Sequence, residues 1–289
     1  NWYELNKSER FFRWVQSRNS EKLSRTEEHE LNSFLAKRKS GESDVFVEFD
    51  YFREENNREK LLQINKNKKN FFLFSSIYWD VGLNELNTIY DGMIEWVLDS
   101  IEALKDQKNS HLFIKTHPGE YYTTSKSLKT VQEFIKNKYP QLPDNVTIIS
   151  PEMKIKPYEL FESIDIGLVY NGTIGIEMLQ HNIPVINSGV APYMMLDSVT
   201  SPKSISSYHA LLKGEEKINQ VNQKEIQLFS YFYFIKTLIP WTLTKKARDN
   251  NFKKYSFDTL DDIMPGNDRY LDHICDCIFN NEDVIPEAW

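Results

Sequence analysis

The sequence predicts an α/β fold in which a parallel sheet is covered by helices on both faces, as in a doubly wound, Rossmann-like domain. Two observations lead to this prediction. Five short, continuous apolar runs lie between residues 71 and 187, and segments with apolar residues at helical spacing separate them. Continuous runs are typical of strands buried on both faces of a parallel sheet. Such sheets bind ligands beyond the carboxyl ends of their strands, so we expect a site in the loops after the runs.

The expected elements follow one another along the chain. The strands are predicted at 71–75, 111–115, 146–149, 166–170 and 184–187. The helices between them are predicted at 86–104, 128–138, 157–163 and 174–180. After residue 204 the pattern favours helices alone, at 206–212, at the strongly aromatic 225–239 and within 258–279.

Helical segments are expected on either side of this region. Residues 1–66 are polar and show two amphipathic helical patterns, around Phe11 and Leu31, and a loosely alternating segment at 44–52 that suits an extended chain. Nothing in residues 1–66 points to chemistry. We therefore expect three parts, namely a helical segment at 1–66, a Rossmann-like domain at 67–215 and a C-terminal helical segment at 216–289.

The bulk composition argues against several classes of protein. The net charge is −7 over 289 residues, which argues against general binding to nucleic acid because such binding needs a basic surface. The two cysteines, Cys275 and Cys277, are too close together for a structural disulfide to be expected, so a reducing, cytoplasmic setting fits best. No stretch approaches the roughly 20 apolar residues of a membrane span. Because the chain begins with Asn1 and not with Met, we expect it to lack an N-terminal portion.

Two hydroxyls and a carboxylate follow the first predicted strand. Ser75, Ser76 and Asp80 lie in the loop where that strand ends, and such groups can contact a sugar or a phosphate. The same residues also suit a turn that caps the next helix. The loop is therefore a candidate site with a purely structural alternative.

A cation and an imidazole follow the second predicted strand. Lys115 and His117 can both donate hydrogen bonds to a phosphate, and His117 can also protonate a leaving phosphate. Pro118 and Gly119 break the chain and make the turn. The structural alternative is a histidine that only satisfies a backbone carbonyl.

The loop after the fourth predicted strand carries the most information. Asn171, Gly172 and Thr173 lead into a helix, where open backbone N–H groups and the helix dipole favour an anion. Asn171 or Thr173 can cap that helix. Glu177, one helical turn further on, can accept both hydroxyls of a ribose. Its structural alternative is a surface carboxylate that the helix dipole favours.

Small residues follow the fifth predicted strand. Ser188 and Gly189 allow a ligand to approach the backbone, and Tyr193 can stack on a base or a sugar. The alternative is an ordinary turn from a strand to a helix.

Three runs occur in a fixed order in this region, FFLFSSIYWD at 71–80, FIKTHPGE at 113–120 and IGLVYNGTIGIEMLQHNIPVINSG at 166–189. Together they resemble the capsule polysaccharide biosynthesis family of bacterial glycosyltransferases, which includes Kdo transferases. In its site layout that family is related to sialyltransferases that carry a His-Pro motif and a Ser/Thr motif. The resemblance covers residues 67–215, about half of the chain.

The resemblance implies a GT-B fold, with two Rossmann-like domains that face a cleft. This chain then is the half that binds the nucleotide sugar, and residues 1–66 are a linker or a remnant of the acceptor domain. The general base of such enzymes usually lies in the acceptor domain, and the sequence shows no second Rossmann pattern in residues 1–66. A missing N-terminal domain or a partner chain is therefore expected to complete the enzyme.

The resemblance also implies roles for single residues. His117 of the His-Pro pair is expected to bind the donor's phosphate, Gly172 and Thr173 to cradle it, and Glu177 to hold the ribose or orient the base. Ser76 and Asp80 are expected to face the cleft. The family commonly has two hydroxyl residues where this chain has Asn-Gly-Thr, so one side-chain contact is lost at Gly172.

The candidate site thus has two groups of residues. The candidate catalytic residues are His117 and Asp80. The candidate donor-binding residues are Ser75, Ser76, Lys115, His117, Asn171, Gly172, Thr173, Glu177, Ser188, Gly189 and Tyr193.

These inferences predict a metal-independent glycosyltransferase that uses a nucleotide sugar, CMP-linked in preference to UDP-linked, and no other cofactor. The expected acceptor is a growing surface or capsular polysaccharide or its lipid-linked precursor. Two alternatives stay open. One is a sugar-nucleotide epimerase on the same architecture, and the other is a non-catalytic nucleotide-sugar-binding domain that acts with a partner.

The aromatic segment at 225–239 is followed by basic residues that include Lys245 and Lys246. So many aromatic residues favour burial or contact with another domain. A sharper hypothesis is contact with the anionic surface of the inner membrane, which suits a lipid-linked acceptor.

Overall fold

A computed structural model of the chain describes residues 2–18, 20–40, 62, 64–78, 88–122, 127–240, 242–246 and 253–282. The chain divides into two compact units, Asn1–Phe229 and Ser230–Trp289, and each is considered by itself. The domain boundaries expected from the sequence, at 66 and 215, stay a prediction.

A parallel sheet forms the centre of the first unit. Its strands are β1 (Lys69–Phe74), β2 (Ser110–Lys115), β3 (Val146–Ile149), β4 (Ile166–Val169), β5 (Val185–Asn187) and β6 (Val199–Thr200). Every neighbouring pair is parallel, and the spatial order is β3-β2-β1-β4-β5-β6. This is the strand order of a Rossmann fold, so the predicted α/β class is confirmed. The sequence pattern does not predict β6, because two residues are too few to show a period.

Helices connect and cover these strands. They are α1 (Trp2–Ser17), α2 (Arg25–Ser40), α3 (Met93–Leu104), α4 (Gly119–Tyr122), α5 (Val131–Lys138), α6 (Pro157–Leu160), α7 (Ile174–Gln180), α8 (Ile205–Lys213) and α9 (Gln223–Tyr231). Short 3-10 turns at Pro151–Met153 and Phe161–Ser163 flank α6.

The strands are apolar on both faces because both faces are covered. On one face, Phe71 of β1 lies in register with Leu112 of β2, and both belong to the main core with residues of α3, α5 and α8. On the opposite face, the rings of Phe72 and Phe113 stack with their centroids 4.5 Å apart. This double burial is the physical reason for the continuous apolar runs.

Helix α7 packs very closely on β4. A Cβ at Gly167 would lie only 2.5 Å from the sulfur of Met178, so the side chain of Met178 occupies the space that a larger residue would need. The close approach packs α7 against β4, and the loop that joins these two elements is one in which the sequence predicts a site.

The two helices predicted in residues 1–66 are confirmed as α1 and α2. Phe11 and Leu31 are buried, and Phe11 makes an edge-to-face contact with Phe229 at 5.1 Å between ring centroids. Arg18 donates to both carboxylate oxygens of Glu27, at 2.6 and 2.7 Å. The extended segment predicted at 44–52 lies outside the described residues.

Two predicted helices begin later in the structure than expected. The helix predicted from residue 86 begins at Met93, and residues 88–92 are not helical. The helix predicted from residue 128 begins at Val131, because Thr130 caps it and forms a capping box with Glu133. In both cases apolar residues upstream of the helix extend the apparent period.

The second unit contains strands, so the prediction of helices alone after residue 204 is wrong. β7 (Thr244–Lys246) and β8 (Lys253–Tyr255) form an antiparallel ribbon. The α-helical part of the predicted aromatic helix ends at Tyr231, and a π-helical turn, Phe232–Lys236, follows it directly. Phe232 and Phe234 are buried, as the many aromatic residues of this segment predict. A 3-10 turn at Leu260–Ile263 and helix α10 (Arg269–Asn280) follow. Among the described helices, none combines the length and the apolar character needed to cross a membrane.

Candidate functional site

The crevice for a ligand is defined by the strand order. From β1 the chain adds β2 and β3 on one side, and it then returns to place β4 on the other side of β1. The loops after β1 and β4 therefore diverge to opposite faces of the sheet and leave a crevice between them, which is where open α/β sheets bind their ligands.

Ser76 and Asn171 join the two loops across this crevice. The Ser76 hydroxyl donates to the side-chain oxygen of Asn171 at 2.5 Å. Gly172 lies beside this bond, with the Ser76 oxygen 3.9 Å from the position that a Cβ would take. Two of the predicted loops are thus brought together by a direct side-chain contact.

Two buried hydroxyls line the same edge of the sheet. The backbone N–H of Ser75 donates to Lys115 and that of Thr116 to Ile149, so both residues extend the strand ladder. Both side chains are buried, and their hydroxyl oxygens have no hydrogen-bond partner among the described residues. A buried hydroxyl without a partner costs about 1–3 kcal/mol, so a bound polar molecule at this edge has groups to satisfy. Ser75 was expected here, but Thr116 was not singled out from the sequence.

Lys115 is the last residue of β2 and is almost completely buried. By register its side chain shares a face with those of Phe74 and Val169. Burial lowers the pKa of Lys115 to about 8, against the opposing effect of the Glu159 carboxylate. An amine with such a pKa exchanges its proton near neutral pH, and an anion beside it stabilises the charged form.

The ring of His117 is held by the turn that follows it. The backbone N–H of Gly119 donates to Nδ1 at 3.0 Å, so the neutral ring carries its proton on Nε2. A Cβ at Gly119 would lie 2.6 Å from Ile77 and 2.9 Å from Nδ1, so only glycine fits without displacing its neighbours. Nδ1 is therefore an acceptor, and any bond from this ring to a backbone carbonyl has to be made through Nε2.

Glu120 anchors the His117 turn to helix α5. Its carboxylate is buried and accepts from the backbone N–H of Val131 at 3.0 and 3.4 Å. Burial raises the pKa of Glu120 to about 7, although the bond from Val131 opposes the shift. The turn that carries His117 is thus fixed at both ends.

Neither Asn171 nor Thr173 caps helix α7 with its side chain. Thr173 occupies the N-cap position in a helical conformation and makes no capping bond. Instead the Thr173 hydroxyl accepts from Arg38 at 3.3 Å, while the Asn171 amide oxygen accepts from Ser76. The expected capping role is therefore wrong, because both side chains make contacts across the fold.

Glu177 is buried and is not the surface carboxylate of the structural alternative. Arg38 of α2 donates to one of its oxygens at 2.8 Å, and the hydroxyl of Tyr158 donates to the other. Burial, together with the Glu177 charge, raises the pKa of Tyr158 well above its usual range, so the phenol keeps its proton. Arg38 thus brings residues 1–66, in which the sequence shows no sign of chemistry, into contact with the predicted site.

Tyr193 does not offer its ring to a ligand. It is fully buried, and its hydroxyl donates to the carbonyl of Gly172 at 2.5 Å. A Cβ at Gly175 would lie 2.1 Å from the Tyr193 hydroxyl oxygen, so the ring fills the space beneath this loop. The prediction that Tyr193 stacks on a base or a sugar is wrong, because the residue supports the loop from below.

Ser188 and Gly189 lie at the carboxyl end of β5, as expected. The backbone N–H of Ser188 donates to Val169 at 3.0 Å. A Cβ at Gly189 would lie 2.3 Å from the carbonyl oxygen of Tyr170, so the backbone there passes directly over the end of β4. This close passage is a packing reason for the glycine.

The family model described as capsule polysaccharide biosynthesis protein matches residues 1–233. The chain belongs to this family. The resemblance inferred from the three sequence runs is therefore confirmed, and the match extends through α1 and α2, upstream of those runs. A comparison with curated proteins found no significant match.

Solved structures similar to this capsule family member include two transferases and one epimerase. The β-Kdo 2,4 transferase of Thermosulfurimonas dismutans KpsC is 14% identical with a TM-score of 0.42, over 72% of this chain and 56% of that one. The β-Kdo 2,7 transferase of the same KpsC is 14% identical with a TM-score of 0.37, over 78% and 64%. The UDP-GlcNAc 2-epimerase from Neisseria meningitidis is 17% identical with a TM-score of 0.42, over 63% and 47%. The chain thus spans about half to two thirds of the length of these proteins.

In this family member the structure gathers most of the predicted residues at one edge of the sheet. Those at or beside the carboxyl ends of β1, β2, β4 and β5 are Ser75, Ser76, Lys115, His117, Asn171, Gly172, Thr173, Ser188 and Gly189. Asp80 lies outside the described residues. Within the described ranges, no group of three or more His, Cys, Asp and Glu is arranged to hold a metal ion.

Proposed function

We propose that this chain is the donor-binding part of a glycosyltransferase. It transfers a sugar from a CMP-linked nucleotide sugar to a growing capsular or surface polysaccharide or its lipid-linked acceptor. Membership of the capsule polysaccharide biosynthesis family supports the proposal. The observation that carries it is the crevice at the strand-order reversal, where Ser76 and Asn171 bridge the loops of β1 and β4.

The donor's phosphate fits the polar groups of this crevice. The Nε2–H of His117 and the ammonium of Lys115 are donors, and a phosphate offers only acceptors at neutral pH. Binding of the phosphate favours the charged form of Lys115, whose pKa burial has lowered. The Thr173 hydroxyl and the amide N–H groups of Asn171, whose oxygen accepts from Ser76, complete the set of hydrogen-bonding groups.

Transfer leaves negative charge on the departing nucleotide, and the same groups stabilise it. His117 is a proposed catalytic residue, because its Nε2–H donates a hydrogen bond to the phosphate oxygen that gains charge as the bond to the sugar breaks. Lys115 adds positive charge in a site from which burial excludes water. In this scheme the Lys115 ammonium and the His117 N–H together perform the role that a divalent ion has in other transferases, and Asp80 is proposed as a second catalytic residue.

The remaining parts of the scheme concern the rest of the enzyme. Glu177 is proposed to hold the ribose, and residues 67–215 to be the donor domain. An acceptor-binding domain or partner chain supplies the general base. A lipid-linked acceptor places the reaction at the cytoplasmic surface of the inner membrane, and the basic residues after the aromatic segment are proposed to contact it.

Calorimetry with CMP and UDP tests the proposal. We expect CMP to bind more tightly than UDP, and His117→Ala to weaken CMP binding by about tenfold or more through the loss of a charge-assisted hydrogen bond. His29→Ala is the matched control, since His29 is exposed on α2. A folded chain that binds neither nucleotide contradicts the proposal.

A product assay separates the proposed transfer from its alternatives. With a CMP-sugar and a glycan acceptor, transfer yields an extended glycan and CMP. An epimerase yields an altered or free sugar without any acceptor. Binding without turnover, when the acceptor domain is supplied, identifies a non-catalytic binding domain.

A further inference from the structure

Arg38 connects the N-terminal helices to the loop after β4. It lies in the last turns of α2, and one nitrogen of its guanidinium, Nη2, contacts both the Thr173 hydroxyl at 3.3 Å and the Glu177 carboxylate at 2.8 Å. The Arg38 side chain is 15% exposed and that of Glu177 is 5% exposed. The contact therefore lies largely out of water, at the loop proposed to receive the donor.

The direction of these hydrogen bonds follows from chemistry. A guanidinium has donors only, so the Thr173 oxygen must be the acceptor. The hydroxyl proton of Thr173 is then directed to another acceptor. Glu177 is four residues further on, on the same side of α7. Its two carboxylate oxygens accept from Arg38 and from Tyr158, one each.

We propose that Arg38 is a positioning residue for the donor's phosphate, because its donation to the Thr173 oxygen holds that hydroxyl in place and leaves the hydroxyl proton to be donated into the crevice. The inference rests on the proposed function. Arg38 acts through Thr173 and is not itself assigned a contact with the reacting atoms. A phosphate oxygen is the kind of acceptor that matches the Thr173 proton, and the neighbouring Asn171 is held in the same crevice by Ser76.

A double-mutant cycle on CMP affinity tests this role. Arg38→Met removes every donor and keeps most of the length of the side chain, and Thr173→Val removes the hydroxyl at nearly constant volume. We expect each single variant to weaken CMP binding by about five- to tenfold, the value of one hydrogen bond to a charged group. We expect the double variant to bind CMP with the same affinity as whichever single variant binds it less tightly, because both changes remove the same phosphate contact.

Cytidine distinguishes positioning from a general structural role. Cytidine lacks the phosphate but keeps the ribose that Glu177 is proposed to hold, so Arg38→Met is expected to weaken cytidine binding by a smaller factor than it weakens CMP binding. Arg38→Lys keeps a cationic donor and is expected to recover part of the CMP affinity. The matched control is Arg18→Met, which breaks the ion pair between Arg18, just after α1, and Glu27 of α2 and should leave CMP binding unchanged.

Two results would overturn the inference. One is that Arg38→Met lowers the affinities for CMP and for cytidine by the same factor. The other is that the double variant lowers CMP affinity by the product of the factors measured for the two single variants. If Arg38→Met does not fold because the Glu177 charge is uncovered, the same comparison is made between Arg38→Met/Glu177→Gln and Glu177→Gln. Failure of the wild-type chain to bind CMP or UDP refutes the proposed function itself, and it is recognised by the wild-type measurement alone.

Discussion

The hydroxyl of Ser76 donates to the side-chain oxygen of Asn171 at 2.5 Å, although 95 positions separate the two residues in the sequence. The bond spans the point where the strand order of the sheet reverses. It fixes the spacing between the loop after β1 and the loop after β4. Any ligand that contacts both loops therefore finds them already in position, which lowers the entropic cost of its binding.

Removal of this bond is expected to weaken nucleotide binding more than it weakens the fold. Ser76→Ala removes the donor and should raise the Kd for CMP by about fivefold, the value of a hydrogen bond of about 1 kcal/mol. Because Ser76 is partly exposed, its loss should change the melting temperature little. Calorimetry and thermal unfolding measure the two effects. Ser206→Ala on the exposed surface of α8 is the control, and equal effects of both variants on Kd contradict the expectation.

Two glycines at the start of α7, Gly172 in the preceding loop and Gly175 in its first turn, are expected to differ sharply in their tolerance of alanine. A Cβ at Gly175 meets the Tyr193 ring at 2.1–2.9 Å, whereas a Cβ at Gly172 meets nothing closer than 3.6 Å. Gly175→Ala must displace Tyr193 and should destabilise the fold by about 1–3 kcal/mol, as overpacked cores do. Gly172→Ala should leave stability unchanged. Chemical denaturation of the two variants makes the comparison, and similar midpoints would show that Tyr193 moves aside freely.

Glu120 is expected to make stability depend on pH below neutrality. Burial raises its pKa from 4.5 to about 7, so the folded state favours the protonated carboxyl. Its contribution is present in full below pH 4.5 and is lost as the pH rises to about 7. Glu120→Gln cannot ionise, so relative to the wild type it should gain about 1–3 kcal/mol between pH 4.5 and pH 8. Denaturation curves at several pH values test this, and a constant difference between the two proteins refutes it.

Lys115 is expected to act in the opposite direction at alkaline pH. Its pKa is lowered from 10.5 to about 8, so the folded state binds fewer protons than the unfolded state between these values. The wild type should therefore gain stability relative to Lys115→Met as the pH rises from 8 to 10, by about 1.4 kcal/mol per pH unit. The measured quantity is the difference in unfolding free energy, which cancels titrations common to both proteins. An unchanging difference over this range means that Lys115 titrates normally.

The sequence predicts the sheet well because its strands are buried on both faces. The bounds predicted for β3 and α7 agree with the structure, since both elements lie between clear turn signals. The start of α3 is predicted seven residues too early. Ile89 continues the helical spacing of apolar residues, but Gly92 is the N-cap residue and the helix begins only after it. Periodicity reports apolar positions and not backbone conformation.

The site is only partly visible in the sequence. Residues at strand ends such as Lys115 and Asn171 can be predicted, because the carboxyl ends of parallel strands meet at one edge. Arg38 cannot, since its contact with Glu177 depends on how α2 docks and 139 positions lie between them. From the sequence alone, Tyr193 resembles a residue that stacks on a ligand. The structure shows that it packs beneath the loop, because its hydroxyl fills the space beside Gly175.

The pairing of Arg38 with Glu177 also restricts how this chain can be shortened. A fragment of residues 67–215 keeps every loop of the crevice and discards the guanidinium that neutralises a buried carboxylate. Deletion of one partner of a buried ion pair costs about 3–5 kcal/mol, a large share of the stability of a typical domain. A minimal nucleotide-binding fragment therefore has to begin upstream of α2. The smallest fragment that we expect to fold is longer than the segment that forms the Rossmann sheet and its loops.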